Sequence, residues 1–134
     1  MDLNLFNRPE ENRLLEAAWT ALASVYAPYS GIRVGAAVLT GSGQIYTGCN
    51  IENSSYSLTI CAERCSLYHA LAHGEKSFTV MVVVTDSEQV TSPCGACRQV
   101  LAEFAPQMPV LFVNPKGVSR FTVEQLLPHL FLLD

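Results

Sequence analysis

The chain has 134 residues, of which 49% are apolar and 15% are charged, and its formal net charge is −4. This length suits one domain, residues 1–134, that buries roughly two-thirds of the surface its unfolded chain exposes. The charged share lies below the usual value of about 25%, which predicts that other copies of the chain cover part of the surface. The acidic balance, without a basic patch, argues against a nucleic-acid partner.

The N-terminal segment, residues 1–8, is polar and lacks the apolar core of a signal peptide. The longest largely apolar stretch, 78–84, is too short to span a bilayer. Five cysteines without a secretory signal indicate reduced thiols and a bound metal, rather than disulfides. We therefore expect a cytoplasmic protein with no membrane partner.

Apolar periodicity and turn residues divide the chain into helices and strands. In chain order they predict a helix over 7–26, strands over 33–40 and 44–49, a helix from about 59 to 74, a strand over 78–85, a helix from 92 to before 106, strands over 109–113 and 118–121, and a short helix after 122. Trp19 is expected in the core with the leucines of the first helix. The order predicts an α/β fold, a three-layer α/β/α sandwich with a five-stranded mixed sheet.

Helix ends carry signals of their own. Ser57 or Thr59 can cap the second helix, and Gly74 suits the position after its last turn. Thr122 and Gln125 form a capping-box pattern for the final helix.

Three cysteines and one carboxylate form the most informative pattern in the chain. Cys61 stands two residues before Glu63, and Cys94 and Cys97 form a CxxC pair that follows Pro93. Each half is weak alone, because CxxC also occurs in redox motifs and structural zinc knuckles. Together they match the zinc-deaminase signature in its three-cysteine form. We expect the three thiolates to bind one Zn²⁺ and to leave its fourth position to water.

The predicted helices bring these residues together. Cys61 falls in the first turn of one helix, and Cys94 and Cys97 fall at the start of another. Two partly positive helix ends would then stabilise the thiolates. Glu63 is expected to take a proton from water at the metal, deliver it to a ring nitrogen and later protonate the departing amine.

Two arginines directly follow the motif elements. Three thiolates around Zn²⁺ leave a net negative charge, so Arg64 and Arg98 could donate hydrogen bonds to the sulfurs. The chemistry alone explains both equally well as solvated arginines on a helix face.

Cys65 offers an alternative site. It stands one helical turn after Cys61, so with the other motif cysteines it could close a four-cysteine structural zinc site that excludes water. Such a non-catalytic module would act in protein assembly and would leave Glu63 without a role. The competing expectation is that Cys65, like Cys49, is a small buried apolar residue. No chemistry is assigned to the three histidines, His69, His73 and His129.

At this point the motifs resemble those of the small homotetrameric cytidine deaminases, in their three-cysteine zinc form. The likeness covers nearly the whole chain. The blocks that carry it are 27–30 (APYS), 34–37 (VGAA), 48–53 (GCNIEN), 59–64 (TICAER), 92–99 (SPCGACRQ) and 126–128 (LLP).

The resemblance implies a role for each matching residue. Zinc ligands are matched by Cys61, Cys94 and Cys97, with one ion per chain, and the catalytic proton shuttle is matched by Glu63. The positions matching substrate-binding residues are Asn50, Glu52, Tyr56, Ala62 and Phe131. Among these, the Asn50 and Glu52 side chains would bind the ribose hydroxyls and the Ala62 backbone would contact the pyrimidine edge. Phe131 would complete a neighbouring subunit's site. Arg64 and Arg98 match arginines that bond the ligand thiolates.

The implied activity is hydrolytic deamination of cytidine and 2′-deoxycytidine to uridine and 2′-deoxyuridine in pyrimidine salvage, by a homotetramer. The chain departs from the family pattern at Ile32 and Arg33, where many relatives have Phe and Pro, and at Cys65, which occupies a position that usually carries no thiol. Ile32 is expected to alter the fit of the base, and Arg33 to add a charge near the cavity entrance. A deaminase for a modified nucleoside or an aminopyrimidine antibiotic is therefore the alternative enzyme.

Overall fold

A computed structural model of the chain describes residues 8–133. The predicted helix start at Asn7, and all but the last residue of the segment tested for a signal peptide, lie outside that range. The helices are α1 Pro9–Ala21, α2 Ala62–Ala72, α3 Gly95–Phe104 and α4 Val123–Leu126. The strands are β1 Val34–Thr40, β2 Ile45–Cys49, β3 Phe78–Thr85, β4 Pro109–Asn114 and β5 Gly117–Thr122. The predicted order of elements is confirmed, and every strand boundary falls within one residue of its prediction.

The five strands form one sheet in the order β2-β1-β3-β4-β5. Only β3 and β4 run parallel, with Val83 opposite Phe112, and the other neighbours are antiparallel. The sheet is therefore mixed, as predicted. Because parallel strands need a crossover connection, α3 must lie on a face of the sheet between them.

Helices cover both faces of the sheet. Met81 and Val83 of β3 face a core shared with α2 and α3, whereas Val82 faces a second core shared with α1. A strand buried on both faces reads as a continuous apolar run, which explains the composition of β3. Leu14 of α1 and Leu101 of α3 are fully buried, and each such side chain stabilises the fold by about 1.5–3 kcal/mol. The predicted three-layer sandwich is confirmed.

The first helix ends earlier than predicted. Regular α-helix stops at Ala21, and a 3₁₀ turn, Leu22–Ser24, takes its place. Trp19 is 38% exposed, so its expected place in the core is wrong. It directly follows the buried Ala18, and a step of about 100° around the helix axis turns its side chain away from the buried stripe.

The second helix also starts later than predicted. Its N-cap is Cys61, whereas Ser57 lies in a separate 3₁₀ turn, Tyr56–Leu58. The third helix likewise begins only after its N-cap, Cys94. Both predicted starts at polar residues are therefore wrong, because the chain enters each helix at a cysteine whose side chain makes no capping bond.

Two other predicted helix ends are confirmed. Gly74 follows the C-cap of α2, His73, and has a φ of +87°, a conformation that glycine adopts without steric cost. Thr122 and Gln125 form both hydrogen bonds of a capping box at the start of α4. Among residues 8–133, no helix combines the length and apolar character needed to cross a bilayer.

At Gly48, the backbone of β2 packs directly against the backbone of α2. A Cβ atom at Gly48 would lie 2.3 Å from the Ser66 nitrogen and 2.8 Å from the Ala62 oxygen. Both atoms belong to the backbone, so no side-chain rotation could relieve the contact. Because α2 begins beside Cys61, this contact also determines where the first predicted metal ligand lies.

We predict that Gly48→Ala lowers the free energy of unfolding by about 1–3 kcal/mol, since the added methyl group must push α2 off the sheet. Urea denaturation followed by circular dichroism measures the change. Gly95→Ala is the matched control, because a Cβ there meets no atom within 4 Å. Equal stability of the Gly48→Ala and wild-type proteins would contradict the described packing.

Candidate active site

The three motif cysteines meet where α2 and α3 begin. Cys61 is the N-cap of α2, Cys94 is the N-cap of α3, and Cys97 lies in the first turn of α3. Neither N-cap side chain bonds its own helix, which leaves both sulfurs free to face each other. The predicted convergence of two helix N-termini on the thiols is present, and their partial positive charges favour thiolates.

The donor set fits a zinc ion. The Sγ atoms of Cys61 and Cys94 lie 3.6 Å apart, and all three sulfurs lie within 4.8 Å of one another. Tetrahedral zinc with sulfurs at about 2.3 Å would hold them about 3.8 Å apart. Cys97 is buried, whereas Cys94 is exposed. One side of the cluster therefore stays open for a fourth ligand, as a catalytic zinc site requires.

Arg64 stabilises negative charge on the cluster. Its Nη2 donates to the Cys61 sulfur at 3.5 Å, so the predicted contact with a ligand thiolate is present. A hydrogen bond from the Cys97 thiol, together with Arg64, lowers the pKa of Cys61 to about 5. The same thiol–thiolate bond, burial and nearby negative charge raise the pKa of Cys97. The cluster thus carries negative charge at neutral pH.

Glu63 lies in the first turn of α2 and is only 4% exposed. Burial is the main cause that raises the pKa of its carboxyl group to about 7, and the negative charge on Cys61 is the second cause. A carboxyl group with a pKa near the working pH can both accept and release a proton, which is what a proton shuttle must do.

A cavity of about 240 Å³ opens beside the cysteines and Glu63. Its walls come from the loop before β1, the segment after β2, the start of α2 and the loop before α3. The lining residues are Ser30, Ile32, Val34, Asn50, Glu52, Tyr56, Thr59, Ile60, Cys61, Ala62, Glu63, Val90, Ser92, Cys94 and Phe112. Four of the five predicted substrate-binding residues therefore share one cavity with Cys61 and Cys94, two of the three predicted zinc ligands.

Asn50 and Glu52 line the cavity, and both bond to the segment that leads into β1. The Asn50 amide accepts a bond from the Val34 nitrogen at 2.8 Å and donates to the Ile32 oxygen at 2.7 Å. Glu52 Oε1 accepts bonds from two main-chain nitrogens, at Tyr29 (3.0 Å) and Ser30 (3.1 Å). Its Oε2 accepts a short bond from the Ser30 hydroxyl. The two side chains therefore clamp segment 29–34, a function that their sequence positions did not indicate.

The clamp sets the charge of Glu52. Its hydrogen bond from the Ser30 hydroxyl, helped by the two main-chain donors, lowers the pKa of the buried carboxyl group despite the cost of burial. Glu52 thus carries a negative charge at neutral pH and still has acceptor capacity toward the cavity.

The other predicted substrate residues differ in exposure. Both Ala62 and Tyr56 line the cavity, but Ala62 is fully buried whereas Tyr56 is 64% exposed. Phe131 lies outside the cavity and is 68% exposed. Its carbonyl oxygen accepts a bond from Gln99 Nε2 at 2.8 Å, which fastens the C-terminal segment to α3.

The structure places two arginines differently from the predictions. Arg98 donates to the Pro93 oxygen, the Leu126 oxygen and Ser92 Oγ, at 2.8–2.9 Å, and to no sulfur. Its guanidinium therefore anchors the loop that leads to Cys94. Arg33 does not line the cavity, although its neighbours Ile32 and Val34 do.

Arg33 instead joins two elements on the far side of the sheet. Its Nη2 donates to the Leu22 oxygen at 2.8 Å, and its Nη1 lies 3.7 Å from a carboxylate oxygen of Asp86. The expected charge near the cavity entrance is thus wrong. The expected place of Ile32 in the cavity wall is correct.

Cys65 does not join the metal cluster. Among residues 8–133, only Cys61, Cys94 and Cys97 bring three metal-ligating atoms together. Cys65 is half-buried and lies near Cys49, whose pKa is raised by burial and by the proximity of Cys65. The four-cysteine alternative lacks its fourth ligand.

Sequence reasoning gave no role to Ser30 or to the apolar wall residues Val90 and Phe112. Ser30 donates to a carboxylate 22 positions away, and no local pattern signals such a contact. The wall residues are strand and loop positions whose composition matches that of the general core. Only their placement around the cavity distinguishes them.

Three thiols that can hold one zinc ion, beside a buried carboxylate and an open cavity, are the arrangement of a zinc hydrolase active site. A family model described as the cytidine and deoxycytidylate deaminase zinc-binding region matches residues 8–113. The chain belongs to this deaminase family.

Individual relatives agree with the family model. A cytidine deaminase of Sporosarcina psychrophila is 50% identical over 121 residues, which are 89% of each chain. One from Halalkalibacterium halodurans is 41% identical over 127 residues, covering 93% of this chain and 96% of the relative. A crystal structure of cytidine deaminase from Burkholderia pseudomallei superposes with a TM-score of 0.85 at 43% identity, covering 90% of this chain and 98% of that one.

We predict that Ser30→Ala lowers stability at neutral pH and that the loss shrinks in acid. The folded pKa of Glu52 is depressed, so its bonds stabilise the fold above the ordinary carboxyl pKa of about 4.3 and are lost as the pH falls through the folded value. Urea midpoints of both proteins, measured from neutral to acidic pH, test this. Ser54→Ala is the control, because Ser54 bonds the Tyr29 hydroxyl and not Glu52. A gap between wild type and Ser30→Ala that does not change with pH would contradict the prediction.

Proposed function

We propose that the protein is a zinc-dependent cytidine deaminase, which converts cytidine and 2′-deoxycytidine to uridine and 2′-deoxyuridine and releases ammonia. One observation carries the proposal: a buried Glu63 carboxyl group lines the same cavity as two of the three clustered thiols. The names of the similar proteins support the choice of substrate.

Zinc held by Cys61, Cys94 and Cys97 would supply Lewis acidity, which brings the pKa of a water molecule toward about 7. Glu63 accepts the first proton of a water molecule while the oxygen of that water bonds to C4 of the pyrimidine. Glu63 then delivers this proton to N3. Glu63 then passes the second proton from the new hydroxyl group to the amine. The C4–N bond breaks, a C4 carbonyl forms and ammonia leaves, so atoms and charge balance.

The polar groups of the cavity suit a nucleoside in one orientation. Glu52 keeps a negative charge and free lone pairs, and Asn50 keeps one N–H that the clamp does not use. These groups bind the sugar hydroxyls at one end of the cavity. The base then extends toward the thiols, with its edge against the Ala62 backbone. A site built around polar sugar contacts rejects analogues that leave those groups unpaired.

The working enzyme is proposed to be a homotetramer, with Phe131 reaching a neighbouring subunit's cavity. Phe131, Leu132 and Leu133 are 68%, 49% and 86% exposed, and three consecutive exposed apolar residues favour contact with another protein surface. The low charge content supports the same conclusion. We assign residues 1–134 to a single domain. The three thiols require reducing conditions, which favours the cytoplasm and a role in pyrimidine salvage.

An assay with a panel of candidate substrates distinguishes cytidine from the alternatives. Ile32 in the cavity wall leaves room for an altered base, so modified nucleosides and aminopyrimidine antibiotics belong in the assay beside cytidine. The acidic net charge and the absence of a basic groove in the sequence disfavour nucleic acid as substrate.

The first test is turnover by purified protein. We expect uridine and ammonia in equal amounts from cytidine, with about one zinc per chain. Glu63→Gln should keep its zinc and lose about 10²–10⁴-fold in turnover, the usual contribution of a general acid–base group. Glu103→Gln, an exposed carboxylate on α3, is the control and should retain full activity. Near wild-type turnover by Glu63→Gln would refute the proposed mechanism.

Subunit mixing tests the role of Phe131. If Phe131 completes a neighbour's site, Phe131→Ala and Glu63→Gln subunits are each weak alone but recover activity when refolded together. Random mixing would restore roughly a quarter of the sites, those that combine Glu63 of one subunit with Phe131 of another.

The control mixes Phe131→Ala with the double variant Glu63→Gln/Phe131→Ala, which supplies no Phe131. Recovery confined to the first mixture supports the shared site. No recovery in either mixture, with tetramers present by light scattering, would show that Phe131 serves no neighbour.

A further inference from the structure

We propose that His69 and His73 form a second metal site, on the surface of α2, that takes one divalent transition-metal ion such as Ni²⁺ or Zn²⁺. The site does not involve the cysteine cluster or the cavity. His69 lies in the last turn of α2 and His73, four residues later, is the C-cap of that helix, so the two side chains lie on the same side. Both are exposed, and the deamination chemistry uses neither.

Hydrogen bonds fix the same tautomer in both rings. His69 Nδ1 lies 3.1 Å from the Thr47 oxygen, and His73 Nδ1 lies 2.8 Å from the His69 oxygen. A carbonyl oxygen can only accept, so each Nδ1 carries the proton and each neutral ring leaves Nε2 as a bare lone pair. Metal-binding histidines usually show this pattern, in which a carbonyl holds the outer N–H and orients the ring.

The spacing of the rings fits one shared ion. Their centroids lie 5.0 Å apart with an interplanar angle of 65°. Two imidazoles bound to one metal through nitrogen at about 2.0–2.1 Å place their centroids about 4.5–5.2 Å apart, from the octahedral to the tetrahedral case. The observed centroid spacing therefore lies within the range that a shared ion requires.

The surroundings favour a cation. Tyr46 packs against both rings, with centroid distances of 5.1 and 5.2 Å, and its hydroxyl faces Glu75. Glu75 Oε1 also accepts a 2.7 Å bond from Ser42, which holds a carboxylate charge at this end of α2. Burial and Glu75 raise the pKa of Tyr46, so its phenol stays protonated and forms a wall of the site. Imidazole ligands select Zn²⁺, Ni²⁺ or Cu²⁺ over Mg²⁺ and Ca²⁺.

The test is equilibrium dialysis against Ni²⁺ at pH 7.5 of protein loaded with one equivalent of Zn²⁺ per chain, with both metals counted. Nickel is the probe because it can be counted apart from the zinc held by the cysteines. We expect about one Ni²⁺ per chain in wild type with zinc retained, and affinity at least about tenfold weaker in His73→Ala and in His69→Ala. His129→Ala, which removes an exposed histidine elsewhere, should bind as wild type does.

Deamination activity serves as the folding check, since His73 does not line the catalytic cavity. Nickel should also raise the melting temperature of wild type and leave that of His73→Ala unchanged, because a ligand that binds only the folded state stabilises it. Equal nickel uptake by wild type and both variants would overturn the proposal, as would no uptake by wild type. In either case the Tyr46, His69 and His73 rings would be a packing cluster only.

Discussion

The N-termini of two helices lie next to each other and bring three thiols together. The positions of these two helices on the sheet therefore determine whether the sulfurs can share one metal ion. Cys61 and Cys94 are the residues at which α2 and α3 begin, so the helices must lie on one face of the sheet with their starts adjacent. The parallel pairing of β3 and β4 carries α3 to that face. Because Gly48 has no side chain, α2 can pack close to β2, which places the start of α2 beside the start of α3. A shift in either helix would separate the sulfurs.

The cavity holds two buried carboxyl groups whose pKa values move in opposite directions. Glu63 lies next to the Cys61 thiolate, and burial raises its pKa to about 7. Glu52 accepts three hydrogen bonds from residues 29 and 30, which lower its pKa. Hydrogen bonding to the charged form thus outweighs burial at Glu52 but not at Glu63. One group is suited to moving protons and the other to holding a fixed charge in the cavity.

Much of the fold follows from local patterns. The apolar run of β3, the hairpin of β1 and β2 and the capping box at Thr122 each depend on neighbours in sequence, and each was predicted. The start of α2 and the exposure of Trp19 were not. A helix start depends on where the sheet allows the first turn to pack, and the side of a helix that is buried depends on the element it meets. Neither is a property of the segment alone.

At the candidate active site, too, some features follow from local sequence and others only from tertiary packing. Spacing in the sequence identified the candidate metal ligands and the candidate proton shuttle, because Cys61 stands two residues before Glu63 and the other two thiols form a CxxC pair. Only the tertiary structure decided which further residues act with them. It left Cys65 out of the cluster, turned Arg98 to the loop before α3, and brought Ser30 to a carboxylate 22 positions away. A contact between distant segments depends on how the sheet and helices pack, and no local spacing encodes that packing.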